Sequence, residues 1–202
     1  MNYNLIKKHA KSFYWASIFL PKQTFKKCSY LYNFCRTLDD IVDDKNDIET
    51  KKINFLKFKK NFENKNFKDP IIKEMWSIIY SEKISTKIVY DLFDGVETDL
   101  VNELSIKSKK DLLVYSYRVA GTVGLMMSKI LKVENKEALK GAIDLGIAMQ
   151  LTNIARDVFE DNARNRKYIC TKFSSIKDTI KEADIFYQKS FSSISVIPLR
   201  TR

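Results

Sequence analysis

From Gln150 to Asp161 the sequence reads QLTNIARDVFED, and no other stretch restricts the fold as tightly. An α-helix advances about 100° per residue. With Gln150 at zero, Asn153 then falls at about −60°, Asp157 at about −20° and Asp161 at about +20°. These four polar side chains share one stripe, with Arg156 and Glu160 beside it. Ile147, Ile154 and Val158 lie close to the same sector, so the stripe points toward the interior. A helix that turns amides and carboxylates inward needs a polar cavity to receive them.

The rest of the sequence supplies helices to surround that cavity. Helical periodicity dominates, and with 5 glycines and 3 prolines in 202 residues there are few breaks, which disfavours a many-stranded β fold. The spacing predicts a first helix over Tyr3 to Phe19 and a second opened by Pro21 and running to Asp43 or Asp44. A lysine-rich helix is expected from Ile48 to Asn64, a short one from Asp69-Pro70 to Tyr80, and another from Ser85 to Leu100. A long apolar helix follows over Asp111 to Leu131. Asn135 caps the next, which carries the polar stripe to Asp161. After a loop around Asn162 to Lys172, a last helix spans Ser175 to Val196, before Pro198. The expectation is an all-α, single-domain bundle over residues 1–202 with a central cavity.

Composition narrows the function. The net charge of +11 admits nucleic acid, a membrane surface or an anionic small substrate. The lysines are scattered among Asn and Ile, as in KKINFLKFKKNFENKNFKD, without a nucleic-acid signature, so no nucleic-acid partner is expected. Cys28, Cys35 and Cys170 lack C-x-x-C spacing, which gives neither a disulfide framework nor a thiolate zinc site and makes a reducing cytoplasm the default. The single histidine, His9, argues against a Ser-His-Asp triad. SFYWASIFL follows lysines but is too short to span a bilayer, and Asp144, Gln150 and Asn153 interrupt the most apolar segment.

A second acidic edge lies in CRTLDDIVDD, Cys35 to Asp44. Arg36, Asp39 and Asp43 align on one face, and Asp40 with Asp44 on a parallel one. Like charges four apart cost a few tenths of a kcal/mol each, and the macrodipole near a helix C-terminus adds to that cost. A divalent cation offsets it. Mg²⁺ takes oxygen ligands and bridges one or two carboxylates to substrate phosphates. Two acidic edges facing each other would hold such ions and a diphosphate between them.

With these residues in view, the chain resembles the squalene and phytoene synthases, which join two prenyl diphosphates head to head. YNFCRTLDDIVDD is similar to the family's first aspartate-rich motif and QLTNIARDVFED to its second. RNRKYI resembles the segment just after it, HAKSFYWASIFLP the N-terminal substrate segment, DGVETDL the middle acidic one, and YSYRVAGTVGLMM the helix lining the prenyl pocket. The wording of RVAGTVGLMM and NIARDV is most like bacterial phytoene synthases.

The resemblance implies an isoprenoid-synthase bundle and a Mg²⁺-dependent prenyltransferase, with Mn²⁺ as a substitute ion. It implies Asp39 and Asp43 as one metal set and Asn153, Asp157 and Asp161 as the other. Gln150 would hydrogen-bond near the diphosphate, and Ser12, Tyr115, Arg36 and Arg156 would contact its oxygens. Guanidinium matches phosphate in a bidentate fork, although the neighbouring carboxylates compete for both arginines. Phe13, Val119, Val123 and Gly124 would line the lipid cavity. Gly121 and Gly124 cost about 1 kcal/mol each against Ala within a helix, which suits either a ligand passing close or tight helix packing. Phe159 stands where relatives often carry a smaller residue, and Ala10 lacks a hydroxyl that some use. Relatives continue beyond VIPLRTR with further helices, so the resemblance implies a bundle whose last helices are missing.

The expected reaction is condensation of two geranylgeranyl diphosphates to phytoene through a cyclopropyl diphosphate, in carotenoid biosynthesis. The alternatives are squalene or hydroxysqualene synthesis from farnesyl diphosphate, class I terpene cyclisation, and a non-catalytic assembly factor. The basic surface also fits peripheral contact with the inner face of a membrane.

Overall fold

The computed structural model describes residues 19–193. The expected first helix lies outside them. Helix α1 spans Lys22–Asp43, with Pro21 one position before the helix rather than within it. Helix α2 spans Ile48–Glu63 and is capped by the Asp47 carboxylate, which accepts from the Thr50 N–H. Helix α3, Pro70–Ser81, starts where Asp69 caps two backbone N–H groups and Pro70 needs none. Helix α4 spans Thr86–Glu97.

The expected Asp111 to Leu131 helix is three consecutive pieces. Helix α5 runs Lys109–Ser116 behind a Ser108 cap, a π-helical turn spans Tyr117–Gly121, and α6 covers Thr122–Ile130. Close packing sets this turn. A Cβ on Gly95 would lie 2.7 Å from the Arg118 Cβ, and one on Gly146 would lie 2.4 Å from the Ala120 carbonyl oxygen. The turn is thus pinned between α4 and α7, the latter spanning Lys136–Arg156 behind its Asn135 cap.

Helix α7 ends earlier than its periodicity predicts. Asp157 leaves helical geometry at φ −98° and ψ 10°, and α8 resumes over Val158–Ala163. The bonds Asp157 N–H to Asn153 C=O, 2.9 Å, and Asp161 N–H to Asp157 C=O, 2.8 Å, persist across the junction. The junction is therefore a bend, and the polar row continues through it.

The loop after α8 holds an element that the sequence pattern did not suggest. Leu104–Ser105 (β1) pairs in parallel with Arg166–Lys167 (β2), joining the segment after α4 to the segment after α8. Helix α9, Phe173–Phe191, then packs along α7.

Two apolar clusters hold the bundle. One centres on Phe34, whose ring centroid lies 5.6 Å from Phe58 and Phe62 and 5.7 Å from Phe93, and unites α1 to α4 with α6. The other gathers Leu112, Tyr115, Ile147, Leu151, Ile154 and Tyr168. No helix among the described residues is long and apolar enough to cross a membrane.

Candidate active site

A cavity of about 300 Å³ opens between the two clusters. Helix α1 gives it Cys35, Leu38, Asp39, Val42 and Asp43, and α4 gives Leu92 and Val96. Gln150, Asn153, Ile154, Arg156, Asp157 and Asp161 form the facing wall. Tyr115 and Val119 come from α5 and the π turn, while Asp99, Arg166 and Tyr168 come from the segments clipped together by β1 and β2. The two acidic rows therefore share one cavity, with aliphatic side chains among them.

The electrostatics follow from that crowding. Asp39 is exposed to the cavity yet closely surrounded by protein, and burial, followed by the charge of Asp43, pushes its carboxyl up to about 6. Asp161 is raised by burial and then by Asp157. Asp157 moves the other way, held low by Arg156, whose Nε and Nη2 each donate to one carboxylate oxygen at 2.6 Å. Arg166 donates to Asp43 at 3.1 Å and lies near Asp99.

Asp39, Asp43, Tyr115, Val119, Gln150, Asn153, Arg156, Asp157 and Asp161 are thus brought to one cavity. Arg36 instead pairs with Asp40 at 2.7 Å, one turn away along α1, and is not among the lining residues. Val123 packs against the Phe34 cluster. Gly124 faces α7, where a Cβ would come within 2.2 Å of the Ala142 carbonyl oxygen. Helix packing therefore accounts for this glycine, and neither Val123 nor Gly124 lines the cavity. Ser12 and Phe13 lie outside the described residues.

Asp99, Arg166 and Tyr168 had no role assigned from sequence, although DGVETDL and RNRKYI contain them. Tyr115 Oη donates to Asp99 Oδ2 at 2.8 Å and Tyr168 Oη to Asp99 Oδ1 at 2.7 Å. The donor chemistry of the cavity is carboxylate and amide oxygen, which suits a hard divalent ion such as Mg²⁺. The mutual repulsion of Asp39 and Asp43 is what a cation would relieve. Among the described residues no group of three or more His, Cys, Asp or Glu side chains is placed to hold an ion. Water and substrate oxygens would complete the coordination.

The chain is similar to known proteins. The phytoene synthase of Pseudescherichia vulneris is 32% identical over 172 residues, covering 79% of this chain and 55% of the relative. The 4,4'-diapophytoene synthase of Staphylococcus haemolyticus is 35% identical over 171 residues, covering 82% of this chain and 60% of the relative. A crystal structure of a dehydrosqualene synthase in complex with ligand aligns with TM-score 0.79 and 30% identity, over 98% of this chain and 77% of that one. The chain spans little more than half the length of the first of these relatives. The family described as Squalene/phytoene synthase matches residues 6–193. Through that match and these relatives, the chain belongs to the squalene/phytoene synthase family.

Proposed function

We propose that the cavity condenses two geranylgeranyl diphosphates head to head, through a cyclopropyl diphosphate, to phytoene. The observation that carries this reading is the meeting of Asp39 and Asp43 with Asn153, Asp157 and Asp161 across one cavity. The relatives named phytoene synthase support the substrate class.

Asp39 and Asp43 would present oxygen donors from α1, and Asn153, Asp157 and Asp161 from the α7–α8 bend. Magnesium, when bound, supplies the positive charge that stabilises a departing diphosphate. Arg166, at the end of the acidic wall, would orient diphosphate oxygens, and Arg156 would do so on exchanging its carboxylate partner. Leu38, Val96, Val119 and Ile154 line the same cavity and would keep water from a reactive allylic chain. Ionisation of the first diphosphate gives an allylic cation that the second chain's double bond attacks, and loss of a proton from the resulting cation closes the cyclopropyl ring. Loss of the second diphosphate, rearrangement and proton loss complete the product.

Purified protein incubated with labelled geranylgeranyl diphosphate and Mg²⁺ should release pyrophosphate and form phytoene. No lipid product would overturn the reading. The 35% identity to a 4,4'-diapophytoene synthase favours farnesyl diphosphate as a second candidate, which is best offered in parallel. A net charge of +11 supports contact with anionic lipid. Cosedimentation with acidic liposomes should then weaken as salt rises, and no dependence on salt would contradict it.

A further inference from the structure

Two phenols and one carboxylate meet at the wall of the cavity. Tyr115 Oη lies 2.8 Å from one oxygen of Asp99 and Tyr168 Oη 2.7 Å from the other. The two rings lie 5.0 Å apart at 30°, and their hydroxyls are 3.1 Å from each other. All three residues line the cavity beside Val96, Val119 and Ile154.

A phenol has one proton to donate, and an ionised carboxylate has none. The shortest contact available to each phenol is a different oxygen of Asp99, so both protons are committed there. Burial and the charge of Asp99 raise both phenols above their ordinary range, which keeps them protonated. Burial raises the Asp99 carboxyl above its ordinary value, while the two phenol bonds and the nearby Arg166 favour its charged form. A phenol touching a diphosphate oxygen would have to donate to it, and these two have nothing left to donate. A phenol whose proton rests on a carboxylate instead has a more electron-rich oxygen.

We infer that Asp99 is a positioning residue: it takes both phenol protons and so presents the oxygens of Tyr115 and Tyr168 to the cationic prenyl chain as acceptors, not to the diphosphate as donors. This rests on the reaction proposed above and assigns the tyrosines to the cation formed there, beside the acidic end that Arg166 and Asp43 mark, rather than to its diphosphate. Fixed partial charges aimed at developing positive charge lower a barrier without strengthening ground-state binding.

The test compares Asp99→Asn, Tyr115→Phe and the wild type in steady-state turnover with prenyl diphosphate and Mg²⁺. Asp99→Asn is expected to lower kcat on the order of 10²-fold while KM changes by less than about threefold. Tyr115→Phe should show the same split, and it keeps the measurement decisive where Asp99→Asn fails to fold. An unchanged kcat, or a raised KM at unchanged kcat, would overturn the inference, because the latter is the signature of phenols gripping diphosphate. Asp99→Glu should recover part of the lost kcat, and no recovery counts against a positioning role. The tyrosine Fermi doublet in Raman difference spectra reads donation directly without substrate. It should report strong-donor tyrosines in the wild type that are lost in Asp99→Asn, and no difference would overturn the inference. If the wild type makes no product while the Raman difference is present, the reaction assignment fails and the hydrogen-bond assignment stands.

Discussion

The guanidinium of Arg166 lies 3.1 Å from the carboxylate of Asp43, which ties β2 to the last turn of α1. The two residues are far apart in sequence, and their pairing closes the acidic end of the cavity. The Arg166 side chain is 19% exposed and that of Asp43 49%, so the pair is only partly shielded from solvent.

Replacing Arg166 by Leu should therefore cost little stability, about 1 kcal/mol. That corresponds to a fall of about 3 °C in Tm, read by circular dichroism. The effect on diphosphate use should be far larger, with kcat/KM down by at least about 10²-fold. Equal losses in Tm and activity would mean that Arg166 acts through folding.

Asp39 should make the metal-free protein less stable as pH rises. Its folded value is raised from 3.8 to about 6, so between those values the folded state holds more protons than the unfolded one. Stability then falls through that window and stays lower above it. Asp39→Asn should raise Tm at neutral pH in chelator, leave it nearly unchanged at pH below the window, and abolish turnover. A lower Tm for the variant at neutral pH would contradict the assignment.

Gly124→Ala should destabilise the fold by about 1–3 kcal/mol through overpacking. Its Cβ would meet the Ala142 carbonyl, a backbone group that cannot step aside. Because Gly124 does not line the cavity, KM at permissive temperature should hold. Thermal melts and kinetics at low temperature check both parts.

Glu82 joins three parts of the bundle. Its side chain is fully buried and bonds Lys27 of α1, Lys132 after α6 and the Ser81 hydroxyl. Burial pushes its carboxyl up, but the bonds from Lys132, Lys27 and Ser81 outweigh this and hold it below 4.5. Its contribution is complete above that value and drains as pH falls through the lowered one. Glu82→Ala should cost about 1–2 kcal/mol at neutral pH, since Lys27 and Lys132 keep access to solvent, and less in acid, as urea unfolding at two pH values would show.

The helices were largely legible because their signals are local. Asp69-Pro70 and Asn135 mark starts by capping chemistry, and both stand where the structure begins a helix. The stripe from Gln150 to Asp161 was legible because four residues share one face, and all four reach the cavity. The π turn at Tyr117–Gly121 was not, since helical periodicity carries no mark of the packing against Gly95 and Gly146. The bend at Asp157 was not either, because the polar row keeps its spacing through it. Asp99 lies in DGVETDL, and Arg166 and Tyr168 lie in RNRKYI, two segments far apart in the sequence. A two-residue parallel pairing between Leu104–Ser105 and Arg166–Lys167 brings them together, and contacts so distant in sequence leave no periodic trace. Arg36 shows the opposite case. Its alignment with Asp39 and Asp43 was clear, but Asp40 one turn on captures it.

The most direct measurement is calorimetric titration of inorganic pyrophosphate into the protein with and without Mg²⁺, repeated for Asp43→Asn and Asp157→Asn. The account predicts binding that requires Mg²⁺ and is lost or weakened at least about tenfold when either row is neutralised, because one complex spans both. Binding that is independent of Mg²⁺, or that survives unchanged in both variants, would contradict it.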